Sequence, residues 1–145
     1  MLLTKECDYG VRIIRALSDT RKKTVKTICE TEYIPEKYAY KILKKLELAG
    51  FLQSIRGRDG GYLLIRPLDT FTLYDIVSAV DKNLYVFECL REDKTCPRNS
   101  LEDRCTVHVE FERIQKLLGD EMKSKTMDKV LDKKTLPEVR ESFWL

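Results

Sequence analysis

The feature that most constrains this chain is a basic amphipathic helix followed at once by two short apolar runs around a glycine–arginine turn. The helix lies in "YIPEKYAYKILKKLELAG", residues 33 to 50. Pro35 suits a first helical turn and Gly50 a C-terminal stop. Between them Tyr38, Ala39, Ile42, Leu43, Leu46 and Ala49 recur at helical spacing and predict an inner stripe. Lys37, Tyr40, Lys41 and Lys44 fall mostly on the other face. The next residues, "FLQSIRGRDGGYLLIRP", predict strands over 51–55 and 62–65. Gly57, Gly60 and Gly61 permit the positive φ values of a tight hairpin, and Arg56 and Arg58 sit at its tip.

The segments before this unit complete a pattern. "TKECDYGVRIIRALS" (4–18) carries Tyr9, Ile13, Ala16 and Leu17 on one helical face, with Thr4 as N-cap. "RKKT" (21–24) reads as a loop whose Thr24 caps "VKTICETE", with Val25, Ile28 and Cys29 inward. Two short helices joined tightly, the second basic on its outer face, form a helix-turn-helix, and a hairpin directly after the second is a wing. Arginines at a wing tip suit the negative potential of a narrow minor groove; the alternative is a plain hairpin with solvated arginines. "TFTLYDIVSAVD" adds a helix capped by Thr72 with Asp75 three residues on, and Ile76, Val77 and Val80 close this domain near residue 80.

Charge agrees with that division. The net value is only +3, yet residues 1–66 hold 14 Lys/Arg against 8 Asp/Glu, while residues 67–145 hold 13 against 16. A basic half joined to an acidic half suggests an anionic partner for the first. No run approaches the ~18 to 20 apolar residues of a membrane span, and the opening "MLLTKECDYG" lacks a signal-peptide pattern. The expected location is cytoplasmic, where thiols stay reduced and five cysteines argue for ligand or redox chemistry over disulfides.

Three of those cysteines and the sole histidine lie in "CLREDKTCPRNSLEDRCTVH", residues 89 to 108. Cys89, Cys96 and Cys105 follow a C-x6-C-x8-C spacing, with His108 three residues after the last. Thiolates prefer soft metals, and three with one further ligand can hold an iron–sulfur cluster or zinc. Structural zinc sites use closer pairs, so the wide gaps in a polar loop suit a cluster better, with zinc as the alternative. Cys29 reads as a small core residue, while Cys7 leaves a supplementary or redox role open.

Beyond the loop, Val107, Phe111, Ile114 and Leu118 form a coiled-coil-like seam on a helix expected over 106–122. Such a stripe must be buried, either against a second subunit or back on its own domain. "TMDKVLD" reads as a short final helix, and the tail ends in Phe143, Trp144 and Leu145.

Four stretches resemble the Rrf-type winged helix-turn-helix transcription regulators, the family of the iron–sulfur cluster regulator IscR and the nitric-oxide-sensing NsrR. They are "LTKECDYGVRIIRAL", "YAYKILKKLELAGFLQSIRGRDGGYLL", "FTLYDIVSAVD" and the cysteine segment. The resemblance implies a homodimeric regulator, a repressor or an activator, that holds a 2Fe–2S or 4Fe–4S cluster through Cys89, Cys96 and Cys105. It implies His108 as fourth ligand by one branch of the family, or Asp8 from the partner subunit by the other. It places DNA-reading positions on Lys37, Tyr40 and Lys41, with Arg56 and Arg58 in the wing. Tyr40 stands where the cluster regulator has a carboxylate, and the cysteine spacing is wider than usual.

The expectation is therefore a mainly α fold with a small β-hairpin wing and a long dimerisation helix. Its parts are a winged helix-turn-helix domain (1–80), a cluster-binding loop (81–106), a dimerisation helix and short final helix (107–131), and a tail (132–145). The expected function is a cytoplasmic, homodimeric regulator, a repressor by preference, on a dyad site in double-stranded DNA. Its cluster would respond to iron or cluster supply, redox state or nitric oxide. The alternative is a zinc-stabilised or metal-free regulator whose loop is structural or senses thiol oxidation. No nucleophile–base pair, Gly-rich phosphate loop or Cys-x-x-Cys motif points to an enzyme.

Overall fold

The computed structural model describes residues 3–100 and 102–135. The apolar tail residues Phe143, Trp144 and Leu145 lie outside that range. The chain runs α1 (Lys5–Ala16), α2 (Val25–Glu32), α3 (Glu36–Leu48), β1 (Leu52–Ile55), β2 (Gly61–Leu64), α4 (Leu73–Val80), α5 (Thr106–Lys123) and α6 (Met127–Leu131). Short 3-10 turns occupy Leu68–Thr70, Glu88–Leu90 and Lys133–Thr135. The described residues form a mainly helical winged helix-turn-helix with one antiparallel hairpin.

The helices begin where side chains replace missing backbone partners. Thr4 Oγ1 accepts from the Cys7 amide at 3.4 Å, and Thr24 Oγ1 from the Thr27 amide at 3.1 Å. Thr72 and Asp75 make a reciprocal capping box at α4. Helix α2 stops at Tyr33, which adopts a left-handed conformation (φ 55°) and is 85% exposed. Ile34 then turns inward and Pro35 leads into α3, giving the tight helix–helix turn.

One core holds these elements together. Ile13 and Ile14 of α1 and Leu17 just after it pack with Ile28 of α2, Ile42, Leu43 and Leu46 of α3, and Ile76 of α4. Phe51 and Phe71 meet edge to face with ring centroids 4.9 Å apart. The Arg66 guanidinium lies over both rings, at 4.9 and 5.4 Å. Tyr38 and Ala49, expected on the inner stripe of α3, flank it instead: both are exposed, Tyr38 leaning on the Tyr9 ring. The four positions 39, 42, 43 and 46 already span the buried arc of a 3.6-residue helix.

Helix α6, expected to follow the dimerisation helix outside this domain, reaches back into it. The Met127 amide donates to Phe71 O at 2.9 Å, and the Met127 side chain is fully buried in the core. A bridge between Thr72 and Thr126 fixes the same return.

The hairpin pairs Leu52 with Leu64 and Ile55 with Gly61. Its glycines differ in purpose. Gly57 has φ +117° and needs the left-handed region. Gly60 and Gly61 do not; they are needed because the backbone passes too closely for a side chain. A Cβ at Gly61 would lie 2.4 Å from Lys23 O, and one at Gly60 2.5 Å from Ile55 O. Lys23 exchanges two backbone hydrogen bonds with Tyr62, at 3.0 and 2.8 Å, so the α1–α2 loop braces the wing. Gly61→Ala is expected to separate that brace and destabilise the protein by about 1 to 3 kcal/mol, the usual cost of overpacking. Urea unfolding checks this; an unchanged midpoint would contradict the close approach.

Candidate functional site

The buried arc of α3 leaves Lys37, Tyr40, Lys41 and Lys44 exposed on its opposite face. Tyr40 is 56% exposed, and Lys37 Nζ sits 5.0 Å from the Tyr38 ring centroid. Arg56 and Arg58 are exposed in the turn between β1 and β2. The five sequence-predicted DNA-reading residues Lys37, Tyr40, Lys41, Arg56 and Arg58, with Lys44 beside them, therefore stand free of the core, on the helix and wing that follow one another directly. A helix of this kind presents donors to base edges and phosphates, and wing guanidiniums suit a minor groove.

Two acidic residues that sequence reasoning passed over organise this surface. Glu47, in the last turn of α3, accepts from the amide (2.9 Å) and hydroxyl of Ser54 in β1. Those bonds lock the wing to the recognition helix and hold the Glu47 carboxyl below its ordinary value, the Ser54 hydroxyl contributing most. Glu6, in the first turn of α1, accepts from Lys41 Nζ at 2.7 Å and from Lys45 Nζ at 3.0 Å. Lys41 first and Lys45 second hold its carboxyl low as well. Their sequence signal is slight: an acid near a helix start reads as macrodipole stabilisation, and one near a glycine stop as a surface charge. Tyr33, at the helix–helix turn, is a further exposed polar aromatic that the pattern did not single out.

The cysteine segment is built differently. Cys89 lies in the 3-10 turn Glu88–Leu90, next to Phe87, whose ring stacks on Phe111 of α5 with centroids 3.5 Å apart. Cys105 is the N-cap of α5, and His108 falls in that helix's first turn. Asn99 links the other two cysteines: its amide donates to Cys96 O at 3.0 Å, and its Oδ1 accepts from the Cys105 amide at 3.1 Å. The carriers of all three thiols thus converge on the N-terminal half of α5. The ligand atoms themselves are not gathered: among the described residues no three His, Cys, Asp or Glu side chains are placed to hold a metal ion. His108 Nε2 lies 3.4 Å from Glu112 Oε1, while its Nδ1 is buried without a hydrogen-bond partner. Such an atom is costly unless something meets it. With three half-buried thiols nearby in the chain, the donor set fits a soft metal or cluster.

Asp8, the other candidate ligand, is on α1 and pairs with Arg12 at 2.9 Å. Cys7 is buried, its sulfur accepting from Thr4 Oγ1 at 3.4 Å. Cys29 is buried in the core, and desolvation pushes its thiol pKa up.

Helix α5 divides its apolar residues between two faces. Phe111 meets Phe87, and Gln115 bonds Leu84 O and the Val86 amide at 2.7 Å each, fastening the 81–90 segment to the helix. Ile114 and Leu118 are half-buried. Val107 and Leu117 are each 54% exposed, and Val130 of α6 is exposed too. Of the expected seam, Phe111 is engaged within the chain and Val107 is not; Leu117 belongs with the exposed set. A heptad reading selects Leu118, and only the seating of α5 against its own domain shows Leu117 outward.

Residues 3–133 match a family described as "Rrf2: Iron-dependent Transcriptional regulator". Protein rrf2 of Nitratidesulfovibrio vulgaris is 30% identical over 101 residues, covering 68% of this chain and 67% of that protein. Protein aau3 of Rhizobium meliloti is 28% identical over 142 residues, 96% of this chain and 89% of the other. The fold is similar to that of T. potens IscR, with a TM-score of 0.70 at 20% identity, covering 96% of this chain and 94% of that one. It is also similar to CymR of B. subtilis, described as the global cysteine regulator, with a TM-score of 0.67 at 25% identity over 90% and 96%. No helix among the described residues is long and apolar enough to cross a membrane.

Glu6 and Glu47 make a pH prediction. Both carboxyls are held below the ordinary 4.5 in the fold. Their stabilisation is therefore fully present above that value and is lost as pH falls through the lowered folded values. In urea unfolding, Glu6→Gln and Glu47→Gln should be less stable than wild type at neutral pH, and the gap should close on acidification.

Proposed function

This chain belongs to the Rrf2 family and is a DNA-binding transcription regulator with no enzymatic role, and on that premise we propose that an iron–sulfur cluster in the cysteine segment controls how its homodimer sits on a dyad operator. Rrf2 regulators bind DNA and typically dimerise. The observation that carries the cluster reading is the buried, partnerless Nδ1 of His108, one turn into the helix that Cys105 caps. Cys89, Cys96 and Cys105 would hold the cluster, with His108 as fourth ligand. Asp8 of the partner subunit is the alternative, and its use would release Arg12 from its ion pair. Such a cluster supplies redox-active, removable cross-linking of three chain positions.

The residues of the chain supply the rest. Lys37, Tyr40 and Lys41 face base edges and phosphates in the major groove, and Arg56 and Arg58 enter the minor groove. The Glu47–Ser54 bonds make helix and wing move as one reader. Val107 and Leu117, with Ile114 between them, form the face that a second copy covers, placing two readers about one DNA turn apart. Segment 81–105 runs from the end of α4 to the start of α5, so its order bears on how reader and dimer helix sit together. Only a difference in DNA affinity between its states shifts occupancy; a coupling of about 1 to 3 kcal/mol moves affinity roughly 5- to 150-fold. Repression is the preferred output. Iron or cluster supply, redox state and nitric oxide are the signals such a centre can register.

A second reading draws on the ungathered ligand atoms: a zinc-stabilised or metal-free regulator whose thiols are structural or sense oxidation. Purification without oxygen separates the two. The cluster reading expects brown protein containing iron and sulfide, and colourless Cys96→Ala. His108→Ala and Asp8→Ala, made separately, identify the fourth ligand by which of them bleaches the spectrum. A pale wild type whose DNA binding ignores every thiol substitution would end it. Arg58→Ala should weaken binding at all sequences and lower the salt slope by about 1 if that arginine touches phosphate.

A further inference from the structure

The Glu6 carboxylate lies against the surface that reads DNA, and its two lysine partners are not equivalent. Lys45 is tied down on both sides: its Nζ bonds Glu6 at 3.0 Å and Val80 O at 2.6 Å, and its side chain is 32% exposed. Lys41 has Glu6 as its ion-pair partner at 2.7 Å and is 58% exposed. Lys41 projects from the outer face of α3, beside Tyr40 and one turn from Lys37 and Lys44. The cation on that face is thus already neutralised by a carboxylate from a different helix, 35 residues earlier in the chain.

We propose that Glu6 is an intramolecular counter-ion that DNA must displace from Lys41, and that it tempers the affinity of the recognition helix for DNA. The exchange is uphill by little. When Lys41 turns to a phosphate or base edge, Glu6 keeps Lys45 and the carboxylate is not left bare. The worth of the surrendered bond is that of one partly exposed ion pair. Glu6 contacts no DNA itself in this arrangement; it is a positioning residue acting through Lys41. Its hold on Lys45 also ties it to Val80, the last residue of α4 and the root of the cysteine segment.

The inference rests on the reading of Lys41 as a DNA-facing residue, and a double-mutant cycle on the full-length protein separates the two. Binding to an operator fragment and to random-sequence duplex is measured by fluorescence anisotropy at several salt concentrations. Wild type is compared with Glu6→Gln, Lys41→Gln and the double variant. Glu6→Gln should raise affinity roughly two- to fivefold, the scale of an exposed ion pair. The gain should be larger with Lys41 present than in the Lys41→Gln background. Equal gains in the two backgrounds mean that Glu6 acts as a general negative charge and overturn the proposal. No gain, or a loss, means that Glu6 only tethers α1 to α3 and overturns it too. If Lys41→Gln by itself leaves binding and salt slope unchanged, the DNA-facing role of Lys41 falls and this inference with it. If Glu6→Gln does not fold, Glu6→Asp keeps the charge while withdrawing the carboxylate from Lys41, and the same comparison of backgrounds decides.

Discussion

The constraint on which the molecule turns is the burial of one arc of α3. Ala39, Ile42, Leu43 and Leu46 are fully inaccessible, packed between α1, α2 and α4. The three larger side chains each contribute about 1.5 to 3 kcal/mol by leaving water. A helix cannot rotate by one position without pulling that arc out and pushing Tyr40 or Lys41 in. The buried face therefore dictates the exposed one, and the basic outer stripe of α3 is a consequence of core packing rather than a separate design. Gly10 makes the same point from α1: a Cβ there would lie 2.7 Å from a methyl of Val80, so α1 and α4 cross as closely as they do only because that position is bare.

Around that packed unit, side-chain and backbone contacts fix where the wing and the outer face of α3 lie. Glu47 couples the end of α3 to β1, Lys23 couples the α1–α2 loop to β2, and Glu6 couples α1 to the outer face of α3. The first two contacts hold the wing through directional hydrogen bonds, the Glu47 carboxylate accepting from the Ser54 amide and hydroxyl and the Lys23 and Tyr62 backbones bonding each other. The third is an exposed ion pair, which is weak and exchangeable.

Among the described residues, none of the cysteine segment belongs to the buried core. Its contacts with α5 include one aromatic stack, the Gln115 bonds, the Asn99 bond to the Cys105 amide and the Arg104–Glu112 ion pair. Such a segment has few buried apolar contacts to resist rearrangement. That is the property a sensing loop needs, and it suits thiols that a cluster would have to bring together. The basic first half of the chain, with its packed core, and the acidic second half, with its cysteine segment, thus differ in burial as they do in net charge.

Much of this was legible in the residues. Helical spacing located α1, α3, α4 and the start and end of α5, and threonine and glycine punctuation marked their ends, because those are local rules of backbone sterics and capping. The wing was legible from two apolar runs around Gly57 and two arginines. Cys89, Cys96, Cys105 and His108 stood out by chemical type alone. What needed the tertiary structure were contacts between residues far apart in the chain. Glu6 with Lys41, Glu47 with Ser54, Lys23 with Tyr62 and Met127 with Phe71 leave no periodic trace, since each partner alone reads as an ordinary surface or terminal residue. The faces of α5 were decided the same way: spacing showed that an apolar stripe existed, and the placement of Phe87, Leu84 and Val86 determined which part of it remains exposed. Local stereochemistry is written residue by residue, whereas pairing across the fold is settled only when the core brings distant segments within bonding range.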